Sequence, residues 1–283
     1  MSGMHRDRIR KQTRLRMTVQ LASACLLNGY AEGFIKGKLF TGSAKGVCVP
    51  VLNCYSCPGA LGSCPIGALQ AVSGGAAHNI PFYAAGMITL FGILLGRLFC
   101  GFMCPFGFIQ DLLYKIPVRK AAVRKEIDRP ARKIKYAIAL VSVILLPVVI
   151  TNPYGSAEPY FCKFICPAGT LEGGLPMLAA NESLRTVIGA LFSWKAILLC
   201  LILIFSMMIS RFFCKYLCPL GAIYSIFNKC SFYRLKMDKE LCTGCGRCSS
   251  TCPMDIEVEK NINSPECIRC GRCKAACPHK AIT

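Results

Sequence analysis

Seven of the 21 cysteines in this chain are followed directly by proline, and that pairing restricts the fold more than any other feature. Proline bars the residue before it from helical geometry, so each Cys-Pro marks a helix end with a thiol at the joint. Two joints close stretches with one frame, RLFCGFMCPFG at 97–107 and RFFCKYLCPLG at 211–221. Arg97, Phe99, Cys100, Cys104, Pro105 and Gly107 match Arg211, Phe213, Cys214, Cys218, Pro219 and Gly221. So much cysteine has two common origins, a disulfide scaffold in a short secreted chain or ligation of metal. With 283 residues, 54% of them hydrophobic, metal ligation is the better starting point.

From Met237 the composition turns polar and cysteine-rich. Cys242, Cys245, Cys248 and Cys252 stand at C-x2-C-x2-C-x3-C-P spacing, and Cys267, Cys270, Cys273 and Cys277 repeat it. This is the bacterial ferredoxin run: three thiolates of a tight loop meet three irons of one cubane, and the fourth cysteine ligates the other cluster. The spacing therefore assigns Cys242, Cys245, Cys248 and Cys277 to one [4Fe–4S] cluster. Cys267, Cys270, Cys273 and Cys252 fall to a second. Zinc also takes four-cysteine sites, but a zinc knuckle needs two pairs, not two regular quartets ending in proline. Gly244, Gly246 and Gly271 let the backbone turn closely and aim amides at sulfur. So short a segment has too small a core to fold alone and draws on cluster binding for stability.

Ahead of it lie four apolar segments, near 15–35, 81–99, 134–150 and 186–210, to be set against the roughly 20 residues that cross a bilayer. The first holds Asn28, Gly29 and Glu32, and a buried soluble helix is its alternative. In the last, Trp194 beside Lys195 reads as an interfacial anchor with the lysine snorkelling. LASAC at 21–25 has the outline of a lipoprotein cleavage box, but the apolar run before it is short and the segment is expected to remain in the mature chain. The net charge of +20 is concentrated at 5–16, 115–135 and 229–239. Loop 36–80 has only lysines 36, 38 and 45, and loop 151–185 sets one lysine and one arginine against three glutamates. That bias places both termini in the cytoplasm of a prokaryote, with these two loops outside its cytoplasmic membrane. A basic helical face could bind nucleic acid. The flanking apolar segments make lipid and topology control the better account, and no nucleic-acid partner is expected.

The expected architecture is an α-helical membrane protein of about four transmembrane helices with a two-fold internal repeat, joined to a small α+β ferredoxin-like domain. Its parts are a basic amino terminus at 1–14, a membrane domain at 15–236 and the two-cluster domain at 237–283.

The repeat gives the paired joints a purpose. Positions i and i+4 of a helix share a face, so Cys100 with Cys104, and Cys214 with Cys218, can address one object. Together they supply four ligands for a third [4Fe–4S] cluster; reduced packing cysteines or a zinc site are the alternatives. Arg97 and Arg211 are candidates to offset the cluster's negative charge from just outside its ligands, or else they snorkel at the membrane edge. On the outer side, Cys162 and Cys166 are expected to join two of Cys54, Cys57 and Cys64 around a fourth cluster; disulfides compete there. Cys48 is a further outer cysteine. Cys25, Cys200 and Cys230 lack partners at ligand spacing and read as packing residues.

The histidines are His5, His78 and His279, none within an apolar segment, so a membrane haem held by two histidines is not expected. There is no G-x-G-x-x-G fingerprint and no Walker loop, hence no nucleotide cofactor, and no nucleophile stands beside a base. A conductor of electrons fits better than a stand-alone enzyme.

With its basic amino terminus, four apolar segments, CxxxCP at Cys100–Pro105 and Cys214–Pro219 and terminal cysteine runs, the chain resembles the NapH/NosR-type membrane ferredoxins. The resemblance covers most of the chain and is strongest at the two joints and at 242–278. It implies a cytoplasmic-membrane electron carrier linked to quinol oxidation, anaerobic respiration or maturation of redox enzymes. The partners implied are a cytoplasmic electron donor or acceptor, quinone and further membrane redox subunits; an accessory role in assembling another complex is the alternative. The departure is NCYSCPGALGSCPIGAL at 53–69, which adds outer cysteines to the two-joint pattern. The flavin domain of the NosR branch has no counterpart in this sequence, so no specific respiratory partner is implied.

Overall fold

Four helical rods carry the fold of this computed structural model, which describes residues 3–73, 82–150, 158–186 and 188–283. His78, and Pro81 at the start of the expected 81–99 segment, lie outside those residues. The rods are α1 (Gly3–Leu27), α2 (Phe82–Leu95), α3 (134–149) and α4 (Ala190–Met208). Among the described residues, α4 alone is long and apolar enough to cross a bilayer; α2 is apolar but has 14 residues.

The expected span at 15–35 is two elements. α1 begins far earlier and stops at Leu27, where the Asn28 side chain turns back to donate to the Ala24 carbonyl. A separate helical turn, Ala31–Lys36, follows and is closed by Gly37 at φ +61°. α1 buries Arg16, Gln20 and Ser23, polar groups turned into the protein. α3 widens to a π-helical turn over Ala139–Leu145 just before Pro147, whose missing N–H cannot continue the ordinary ladder. The same device precedes Pro167 and Pro176, after the π turns Phe161–Ile165 and Gly169–Gly174.

α2 and α4 end alike. After α2 the chain turns at Gly96 (φ +53°), forms Leu98–Phe102, breaks at Cys104 and restarts as Pro105–Leu113. After α4 it turns at Arg211 (φ +52°), forms Phe212–Tyr216, breaks at Cys218 and restarts as Pro219–Phe227. The left-handed turn costs Gly96 little; in Arg211 it is strained, and its side-chain bonds hold it. The two copies meet at Phe106 and Phe213, whose rings pack edge to face at 5.1 Å. That contact lies in one buried core running from Ile66 and Phe161 to Ile256 and Ile268.

The carboxy-terminal segment has two short helices, Arg247–Ser250 and Arg272–Ala276, each opened by a left-handed glycine, Gly246 (φ +68°) and Gly271 (φ +74°). Its ends are tied by an antiparallel bridge between Met237 and Ile282, flanked by two hydrogen bonds between Lys236 and Thr283. Among the described residues no strand extends beyond this bridge, so the expected α+β character reduces to it. Cysteine loops occupy most of the segment and leave little chain for extended pairing.

α1 is the spine. Gln12 donates to the Cys270 carbonyl of the carboxy-terminal segment, Ser23 to the Met103 carbonyl beside the first joint, and the Leu27 carbonyl accepts from Leu61 in the outer loop. From Gln12 to Leu27 is a helical rise of about 22 Å.

Candidate metal centres

Four cavities are each walled by four cysteines. Cys242, Cys245, Cys248 and Cys277 line one of about 20 Å³, and Cys252, Cys267, Cys270 and Cys273 line another of about 20 Å³. Cys100, Cys104, Cys214 and Cys218 line a third of about 10 Å³. These groupings coincide with those drawn from spacing. The fourth cavity is far larger, about 540 Å³, and carries Cys54, Cys64, Cys162 and Cys166. Cys57 is turned away from it and donates to Asn28 at 3.5 Å, and Cys48 is buried elsewhere, its amide donating to the Tyr83 hydroxyl. The outer candidates thus reduce to four. Cys25, Cys200 and Cys230 are exposed rather than packed inside.

The inner joint shows why the frame repeats. Cys104 and Cys218 each cap a helix that begins with proline, and each sulfur accepts from the amide three residues on, Gly107 at 3.4 Å and Gly221 at 3.3 Å. The copies grip each other: Arg97 donates to the Cys214 carbonyl at 3.3 Å, and Arg211 to the Cys100 carbonyl at 2.6 Å. Both arginines are fully buried, which excludes snorkelling.

A residue pair that the sequence reading passed over completes the design. Gln110 donates to the Cys214 sulfur at 3.2 Å while its carbonyl accepts from the Phe213 amide. Gln70 does the same outside, donating to the Cys162 sulfur at 3.4 Å and accepting from the Phe161 amide. The signal was present: CPIGALQ at 64–70 and CPFGFIQ at 104–110 share Cys-Pro-x-Gly-x-x-Gln. In both places a Cys-Pro helix from the first half of the chain reads the Cys-x3-Cys of the second. Lys195 takes at this quartet the part an arginine takes at the inner joint, donating to the Cys162 carbonyl at 3.2 Å; it points into the protein and does not snorkel. Glu172 accepts from the Cys54 amide.

Buried ion pairs seat the carboxy-terminal segment on the inner joint. Glu266 meets Arg97 at 2.9 Å and Lys135 at 2.5 Å. Burial pushes its carboxyl up, but Arg97 and Lys135 together pull it below the ordinary glutamate value. Asn228 donates to the Ser264, Pro265 and Cys267 carbonyls, and Arg269 reaches back to the Leu95 and Asn228 carbonyls. Lys215 pairs with Asp255.

These surroundings suit an anionic group with thiolate ligands. Donors aim at sulfurs that accept, and the Arg97 Nε on the inner cavity wall is buried without a partner. Burial pushes the Cys267 thiol up to about 11 and Cys273 to about 12, so these sulfurs ionise on binding metal rather than alone. Among the described residues no three His, Cys, Asp or Glu side chains close on a single metal ion. The sulfurs line cavity walls instead, as a multi-iron cube requires.

Comparison with known proteins agrees. A 4Fe-4S binding domain model matches residues 82–124, 138–175 and 191–240, and a 4Fe-4S dicluster domain model matches 234–278. The chain is 31% identical to an uncharacterized protein of Methanocaldococcus jannaschii, covering 64% of this chain and 68% of that protein. It is 27% identical to the putative electron transport protein YccM of Escherichia coli (64% and 49% covered). To the ferredoxin-type protein NapH of Haemophilus influenzae it is 29% identical (63% and 56% covered). The chain therefore spans about half the length of the latter two. No solved structure matches it.

Proposed function

Because the chain belongs to the NapH-type 4Fe-4S ferredoxin proteins, which bind [4Fe–4S] clusters and serve electron transfer, we propose that it is a membrane-embedded relay with four cluster sites in line. The ligand sets are Cys242, Cys245, Cys248 and Cys277; Cys252, Cys267, Cys270 and Cys273; Cys100, Cys104, Cys214 and Cys218; and Cys54, Cys64, Cys162 and Cys166. Each bound cluster supplies one-electron storage. The protein supplies the thiolates, the N–H donors to sulfur, and a dry path between sites.

The observation that carries this reading is the continuity of the walls. Ile268 lines the second carboxy-terminal cavity, and its carbonyl lies against Gly101 of the inner joint. Leu52 lines both the inner and the outer cavity. The exposed Cys245 loop is where a cytoplasmic donor or acceptor approaches. The outer cavity is by far the largest of the four, at about 540 Å³, and there a quinone or a partner subunit exchanges electrons. α4 crosses the bilayer of a prokaryotic cytoplasmic membrane, with the shorter α2 and α3 and the apolar part of α1 embedded beside it. The basic stretches at 5–16 and 115–135 keep the carboxy-terminal domain, 237–283, cytoplasmic.

Anaerobic purification followed by a potentiometric titration with EPR detection tests this: reducible centres beyond the carboxy-terminal pair are expected. If only two centres reduce, in both the full chain and a Cys104→Ser variant, the relay ends at the carboxy-terminal segment.

A further inference from the structure

Two buried ion triads flank the inner quartet. On one side Glu266 lies between Arg97 and Lys135; on the other Asp111 lies between Arg211, at 2.6 Å, and Arg16, at 3.1 Å. The four cations are at most 2% exposed. Each triad has two cations and one carboxylate, so each holds one positive charge in excess. One arginine of each triad, Arg97 or Arg211, also donates to the carbonyl of a ligand cysteine across the joint.

A lone surplus cation in a protein interior is costly to bury, and here there are two, tied to the two halves of the inner joint through Arg97 and Arg211. Several of their donors, the Arg97 Nε and the Arg16 Nε and Nη1, have no partner in the protein. An oxidised four-thiolate [4Fe–4S] cluster is doubly anionic and would neutralise the surplus. Among the described residues the outer quartet has no such pair of triads: Lys163, paired with Glu158, and Lys195 line its cavity, and Glu172 sits against Cys54.

We propose that the Arg97–Glu266–Lys135 and Arg211–Asp111–Arg16 triads are a charge-matching frame that sets the potential of the inner cluster. Arg16 and Lys135 act as positioning residues that tune it without touching its ligands. Fixed positive charge favours the more negative, reduced state, so the frame raises the midpoint and makes the inner site hold an electron. Glu266 belongs to the carboxy-terminal segment, so seating that segment also brings one of the two carboxylates.

This rests on the inner quartet binding a cluster, which iron and sulfide analysis of the unaltered protein checks separately: absence of inner-cluster iron there refutes that reading, not the frame. With the cluster present, the test is the midpoint of each centre in the full-length protein. Arg16→Gln and Lys135→Gln should each lower the inner midpoint, shifting its redox equilibrium by about tenfold, or ~59 mV for one electron. Arg16→Lys and Lys135→Arg should hold it. The cluster at Cys242, Cys245, Cys248 and Cys277, the most remote, is the internal reference and should not move. Loss of inner iron in a glutamine variant but not in its charge-conserving counterpart also supports the frame. Equal shifts or equal loss of iron in both kinds of variant overturn it, as does an unmoved inner midpoint in both glutamine variants.

Discussion

Replacing Gly101 by alanine tests how closely the carboxy-terminal segment must seat on the inner joint. Gly101 lies in Leu98–Phe102, one residue after Cys100, and a Cβ there would stand 2.4 Å from the Ile268 carbonyl oxygen. An ordinary carbon–oxygen contact is about 3.3 Å, so the two backbones must part by about 0.9 Å. Ile268 cannot swing aside: its neighbours are Cys267, whose carbonyl Asn228 holds, and Arg269, anchored to the Leu95 carbonyl. Overpacking of this kind costs about 1–3 kcal/mol, and alanine returns about 1 kcal/mol in helix propensity. Because the obstruction is backbone, the net loss should be about 1–2 kcal/mol, a 5- to 30-fold increase in the undocked population. Limited proteolysis of the purified protein reads it as faster release of the carboxy-terminal segment. Gly86→Ala is the control, since nothing lies within 4 Å of a Cβ there. If Gly101→Ala is released no faster than Gly86→Ala, the close seating is wrong.

Cys54→Ser and Cys64→Ser should each cost about four irons per chain, while Cys57→Ser costs none; iron analysis of the three variants decides which cysteines serve the outer site. Gln110→Leu removes one N–H to the Cys214 sulfur and should lower the inner midpoint, whereas Gln70→Leu should shift the outer centre and leave the inner one alone. On brief exposure to oxygen, the EPR signal of the site holding the exposed Cys245 should decay first and that of the fully enclosed inner site last. Glu266→Gln leaves Arg97 and Lys135 facing each other without their shared carboxylate. It should weaken seating by at least 2 kcal/mol in the same proteolysis assay, since a broken buried pair costs about 3–5 kcal/mol.

What was legible in the sequence was local. Spacing within a run decides which thiols can share a loop, so the quartets at 242–277 and the Cys100, Cys104, Cys214 and Cys218 set could be grouped before any fold was known. Proline fixed the helix breaks at Cys104 and Cys218 for the same reason. The rest depends on contacts distant in sequence. Cys54 rather than Cys57 faces the outer cavity because its sulfur packs beside Gly169 and Gly173 while Cys57 turns to Asn28, contacts distant in sequence that no spacing within 54–64 expresses. Arg16 reads as one more charge of a basic amino terminus until the fold brings it to Asp111, and Lys195 reads as an interfacial lysine until it reaches the Cys162 carbonyl. The helix break at Asn28 lies inside an apolar run, where composition favours continuation. Only Gln70 and Gln110 could have been found earlier, from their shared position six residues after a Cys-Pro cysteine.

The relay depends most directly on how many clusters the chain holds. Anaerobically purified full-length protein should contain about 16 irons and as much acid-labile sulfide per chain. About eight or fewer would contradict a cluster at the inner joint, and with it the path from the carboxy-terminal segment into the membrane.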